Sequence, residues 1–109
     1  MNTIELYMPS RDSNGAAMPP MATLALRELI ESTLLEVSGG FTEYAAVGAY
    51  RTDDGRVIRE SVTVFRFFAE KESAGIKLAQ LVGAMANQES VLVTVNSAPH
   101  FVRPDDVAA

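Results

Sequence analysis

The period of the hydrophobic pattern changes along this chain, and the order of those changes constrains the fold more than any other feature. Ile4, Leu6 and Met8 alternate with Thr3, Glu5 and Tyr7, the two-residue period of a half-buried strand over residues 3–8. Pro9 ends it. From Met21 onward, Leu26, Leu29, Ile30, Thr33, Leu34 and Val37 recur at the spacing of one helical stripe. Pro20 suits a first helical turn, and Ser38-Gly39-Gly40 supplies the flexible backbone that closes a helix. Residues 41–50 and 57–69 are rich in β-branched and aromatic side chains, with the hairpin signal Asp54-Gly55 between them. Residues 71–87 return to helical spacing, with Ala74, Leu78, Leu81, Val82 and Met85 as the inner side and Ser73 as the cap. Residues 91–95 read as a strand, and His100-Phe101-Val102 as a short extension of it.

The resulting order, β-α-β-β-α-β, predicts a ferredoxin-like α+β fold: a four-stranded antiparallel sheet with two helices on one face. Right-handed crossovers put the first and third strands at its centre. At 109 residues the chain suits one domain, expected over residues 1–102, with 103–109 as a flexible C-terminal tail.

Composition then removes whole classes of function. There is no cysteine, which excludes disulfides, thiol nucleophiles and cysteine-held clusters. A net charge of −5 opposes direct binding of nucleic acid, which needs a concentrated positive field. No apolar run approaches the ~20 residues of a membrane span. The first residues carry neither a basic nor an apolar signal region, so the expected location is cytoplasmic. No metal site or cofactor is expected: Asp53-Asp54 has a turn role, Asp105-Asp106 falls in the tail, and Gly39-Gly40 lacks the sequel of a phosphate loop.

The third strand is apolar in both phases, with Val62, Val64 and Phe68 in one and Phe65 and Phe67 in the other. Helices cover one side of such a sheet, so one set is left for something else. If Asp54-Gly55 forms a two-residue turn, Val47 opposes Val62, Ala45 opposes Val64, and Tyr44 opposes Phe65. Tyr44, Phe65 and Phe67, with Tyr7, then form an exposed aromatic patch, and patches of that kind mark contacts. The expected consequence is a homo-oligomer, most simply a dimer.

Gly40-Phe41-Thr42, Gly48-Ala49-Tyr50, Asp54-Gly55-Arg56-Val57 leading to Arg59-Glu60-Ser61, and Gln88-Glu89-Ser90-Val91 resemble a family of small bacterial proteins known only as a domain of unknown function. The similarity covers roughly residues 38–95. Members often carry a lipoprotein or secretion signal, which is missing here, and Tyr50 stands where the family has a tryptophan. The resemblance implies a ferredoxin-like fold and supports the hairpin. It implies no activity.

Candidate chemistry gathers at few positions. Under the two-residue turn, Tyr50 opposes Arg59 and Ala49 opposes Glu60. Glu60 is then a candidate proton acceptor, and Tyr50 with Arg59 a candidate anion-binding pair. Arg11, on the long loop of residues 9–20, is a second ligand clamp. His100, the only histidine, is a candidate base near neutral pH. The leading functional reading is a non-catalytic, self-associating module that binds a protein partner or small ligand through its sheet. Two alternatives stand beside it. One is an acidic phage- or plasmid-borne inhibitor of a nucleic-acid-binding host protein. The other is a small dimeric lyase, isomerase or monooxygenase-like enzyme centred on Glu60, Tyr50 or His100.

Overall fold

The structure, a computed structural model, describes residues 1–105. Its elements are β1 (Asn2–Met8), α1 (Pro20–Ser38), β2 (Thr42–Arg51), β3 (Val57–Ala69), α2 (Ser73–Met85), β4 (Val91–Val95) and β5 (Ala98–Val102). The sheet order is β2-β3-β1-β4-β5 with every neighbouring pair antiparallel. β1 and β3 lie inside the sheet, as the crossover rule requires.

The sheet has five strands rather than the four expected. Asn96 and Ser97 both adopt positive φ, 52° and 71°, in a two-residue connection that sets Val95 opposite Ala98. That is the backbone of a primed turn, whose twist matches the flanking strands. With Asn-Ser in place of Asn-Gly the signal is weak, and Pro99 argues against a strand. Pro99 is tolerated because β5 is an edge.

The hairpin register differs from the expectation by one residue. Gly55 N–H donates to the Thr52 carbonyl at 3.0 Å, and Gly55 takes φ 88°. The loop is therefore a turn followed by a left-handed bulge residue, Asp53-Asp54-Gly55, and it holds one residue more than a two-residue hairpin. The pairs become Tyr44–Val64, Ala45–Thr63, Ala46–Val62, Val47–Ser61, Gly48–Glu60, Ala49–Arg59 and Tyr50–Ile58. Because side chains alternate faces, a one-residue slip moves a whole set to the other side.

Phe65 and Phe67 consequently sit on the helix face, 0% and 1% exposed, in a core with Ile4, Leu6, Leu26, Ile30 and Val82. They are core residues, and their place in an aromatic interface patch is corrected. Phe41 closes on Phe65 edge to face, with centroids 6.0 Å apart.

α2 also turns differently from its large-residue stripe. Its buried residues are Gly75, Leu78, Ala79, Val82 and Gly83, while Leu81 and Met85 are exposed. The small residues let the helix approach the sheet. A Cβ on Gly75 would lie 2.7 Å from Ile4 Cγ2. Ser73 is the first helical residue rather than a cap, and Glu72 at the N-cap makes no side-chain capping bond. No helix among the described residues is long and apolar enough to cross a membrane.

Candidate functional site

β1 pairs with β3 only from Asn2–Ala69 to Met8–Thr63. Beyond Met8 the chain leaves the sheet, while β2 and β3 continue to Arg51 and Val57. The end of this hairpin thus stands past the helix-covered core, and the loop of residues 9–20 runs beside it. Glu60 lies at the meeting point.

The loop is built rather than loose. Arg11 bridges Ala17, and Gly15 N–H donates to the Asp12 carbonyl at 3.0 Å with Gly15 at φ 82°. Asp12 Oδ1 accepts from the amides of Asn14 and Ala16. Ser13 N–H donates to the Asn87 carbonyl at 3.0 Å, and the Gln88 side-chain amide donates to the Arg11 carbonyl. A loop fastened in this way places its own backbone donors. Ser10 and Arg11 N–H groups donate to Glu60 Oε2 at 3.4 and 3.2 Å, which leaves Oε1 for another partner.

A cleft of about 530 Å³ opens here on the face of the sheet away from the helices. Tyr50 and Glu60 line one wall, Tyr7 and Pro9 the floor, and Glu89 and Phe101 the opposite side. Gly48, directly across from Glu60, leaves the space beside the carboxylate open. This volume falls in the range of small-molecule sites.

Of the residues expected to form the site, Glu60, Tyr50 and Arg11 are brought together at this cleft. Arg59 is not. The shifted register pairs it with Ala49 rather than Tyr50, so it projects from the opposite face, and the Tyr50–Arg59 pair is corrected. It lines a second cleft of about 620 Å³ on the helix side, which shares Arg11, Val47 and Glu60 with the first. His100 sits on β5 opposite Val93, is exposed, and lines neither cleft. Asp54 is held in the turn by Thr52 and by Arg56 Nε at 2.9 Å, and hydrogen bonding from Thr52 lowers its pKa. Asp105 lies 3.8 Å from Arg103, and Asp106 falls outside the described residues.

Farther along the same face, Tyr7, Val64 and Tyr44 form one cross-strand row. Tyr44 donates its hydroxyl to Glu5 Oε2 at 2.6 Å. That bond, with some burial, raises the Tyr44 pKa to about 12. Burial and then the charge of Glu5 raise that of Tyr7. Tyr44 and Phe68 are 44% and 51% exposed, and Arg66 covers the Phe68 ring at 5.8 Å.

Sequence reasoning missed the donors of Ser10 and Arg11, because backbone amides have no residue signature. It also missed the brace from Gln88, although Gln88-Glu89-Ser90-Val91 stood among the motifs of the family resemblance.

No family model and no curated relative matches the sequence. Solved structures do. A phage SAM lyase in complex with S-methyl-5'-thioadenosine superposes with TM-score 0.67 at 10% identity, covering 94% of this chain and 88% of that one. The fold is shared. The same kind of enzyme in its apo state gives TM-score 0.65 at 11% identity over 98% and 92% of the two chains. A mutant CutA1 from Pyrococcus horikoshii OT3 gives 0.53 at 13% identity over 99% and 87%. Likeness at these identities speaks for architecture, with two helices on an antiparallel sheet.

Proposed function

We propose that the Glu60–Tyr50 cleft binds an adenosylated sulfonium compound and that this chain is a lyase acting on S-adenosylmethionine. The observation that carries this reading is the anchored carboxylate of Glu60 beside Tyr50 in a nucleoside-sized cleft. It gains support from the fold of a phage SAM lyase that holds S-methyl-5'-thioadenosine. The third of the sequence-based readings is thereby preferred over a non-catalytic module.

The chemistry fits the lining. A sulfonium group is a cation without hydrogen-bond donors, so it is recognised by carboxylate charge and by aromatic faces. Glu60, Glu89, Tyr7, Tyr50 and Phe101 supply both. When the bond from sulfur to the amino-acid arm breaks, its electron pair goes to sulfur, which becomes the neutral thioether of S-methyl-5'-thioadenosine. A lyase completes the other fragment without water. Either the substrate's own carboxylate oxygen closes a five-membered lactone, or a neighbouring carbon loses a proton and an alkene forms. In the first case Glu60 holds the substrate ammonium and folds the arm for closure. In the second it accepts the proton.

The test is incubation with S-adenosylmethionine and chromatography of the products. S-methyl-5'-thioadenosine should accumulate above the uncatalysed background, and the co-product, lactone or alkene, assigns the role of Glu60. Absence of the thioether product, together with no binding of S-methyl-5'-thioadenosine, removes the proposal.

A second reading concerns association. Tyr44, Phe68 and Phe101 leave apolar surface open on the helix-free face, which favours self-association through the sheet. Light scattering of the purified chain checks it, and a strict monomer at high concentration contradicts it.

A further inference from the structure

The cleft on the helix side has a different chemistry from the one assigned above. In a chain of net charge −5, it gathers three of nine basic side chains, Arg11, Arg27 and Arg59. Three elements that are distant in sequence deliver them: the loop after β1, the second turn of α1, and the far end of β3. We propose that this cleft is a binding site for a small molecule bearing a phosphate group.

Each guanidinium has donors to spare. Arg59 is exposed, and its side chain makes no hydrogen bond or ion pair among the described residues. Arg11 commits Nη1 to the Gly15 carbonyl at 2.9 Å, one of the five donors a guanidinium carries. Arg27 reaches Thr63 Oγ1 from Nη2 at 3.4 Å, while its Nε is buried without a hydrogen-bond partner. That Nε forms a long ion pair with Glu43 Oε2 at 4.0 Å, beyond hydrogen-bond reach, and Glu31 also lies within the field of Arg27.

Two further features fit an oxyanion. The start of α1 borders the cleft through Pro20 and Thr23, and this end carries neither a side-chain cap nor an acidic residue in its first turn. Pro20 has no N–H and Thr23 N–H donates to the Pro19 carbonyl at 3.0 Å, so this end adds its dipole to the guanidinium field without a free hydrogen-bond donor from either residue. Glu60 is the acidic residue in the lining, and its Oε2 is turned to the amides of Ser10 and Arg11. Met18, Leu24 and Val47 complete the walls. At about 620 Å³ the space exceeds a bare phosphate and accommodates an apolar body attached to it. Convergent arginines recognise phosphate through paired, charge-assisted hydrogen bonds.

The site borders the lyase cleft at Arg11, Val47 and Glu60, but its test contains no sulfonium compound and does not depend on the lyase reading. Inorganic phosphate and pyrophosphate are titrated at low ionic strength into the full chain, followed by calorimetry and by backbone amide shifts. Saturable one-to-one binding is expected, with shifts at Arg11, Thr23 and Arg59. Arg59→Gln and Arg27→Gln should each weaken it at least tenfold. Arg66→Gln, on the opposite face, should leave it within twofold. Arg59→Gln alters an exposed side chain, so its effect is readable without loss of folding. Either of two results overturns the site: no saturation with either anion, or equal weakening by Arg66→Gln and Arg59→Gln, which would mark general charge attraction.

Discussion

The two halves of β3 obey different rules. Residues 63–69 lie against β1 and send Phe65 and Phe67 beneath both helices. Residues 57–62 have left β1 behind, pair with β2 alone, and place Glu60 at the border of both clefts and Arg59 in the helix-side one. One strand therefore serves as core at one end and as a support for chemistry at the other. The difference is what lies beside it. Where helices and β1 cover the strand, alternation sorts side chains into buried and open, except at Val64, which is buried between Tyr7 and Tyr44 on the helix-free face. Where they do not, both phases reach solvent, and polar groups on either face are free to meet ligands.

The sharpest way to break this division is Phe65→Ala. Removing a fully buried ring should cost about 3–5 kcal/mol of stability, measured by urea unfolding, and a loss below about 1 kcal/mol would contradict the placement of Phe65 in the core. Glu60→Gln makes the opposite test. Cleavage of S-adenosylmethionine should fall at least about 100-fold, within the usual range for an acid–base or positioning group, while the urea midpoint stays close to the parent. Equal losses of activity and stability would make Glu60 a structural brace.

Gly75→Ala probes the covered half from the helix side. Its new Cβ meets Ile4 Cγ2 at 2.7 Å, so α2 must lift from the sheet, at a cost of about 1–3 kcal/mol. Gly55→Ala probes the turn of the exposed half. A left-handed φ of 88° costs an L-residue roughly 1–2 kcal/mol, visible as a lower thermal midpoint.

The smallest effect belongs to Tyr44. Its folded-state pKa of about 12 lies above the ordinary 10.0, so folding favours the neutral phenol. The stability it contributes is complete below pH 10 and is lost as pH rises from 10 toward 12. Tyr44→Phe should cost about 1 kcal/mol or less near neutrality. It should also remove that part of the alkaline decline, as read from thermal midpoints across the window. An unchanged alkaline slope would separate Tyr44 from Glu5.

Much of this architecture was legible from local pattern. Ile4, Leu6 and Met8 are buried as their alternation predicts, and Leu26, Ile30 and Leu34 form the inner stripe of α1. Errors arose where one residue changes a parity or where small residues do the packing. Asp53-Asp54-Gly55 holds an extra residue, which moved Phe65 and Phe67 inward and separated Arg59 from Tyr50. Gly75, Ala79 and Gly83 outrank Leu81 and Met85 on α2 because close approach to the sheet excludes bulk. Glu60 and Tyr50 were visible as residue types in a suggestive hairpin, but the amides that hold Glu60 were not.

The sequence by itself determined the order of the first six elements, the central place of β1 and β3, and a third strand with apolar side chains in both phases. Periodicity and turn chemistry act over a few residues, so they survive without a tertiary context. Only the tertiary structure decided which phase of β3 meets the helices, that a fifth strand closes the edge, and that the loop of residues 9–20 folds its amides onto Glu60. Those outcomes depend on register and on contacts between segments about fifty residues apart, and such contacts exist only once the chain has closed on itself.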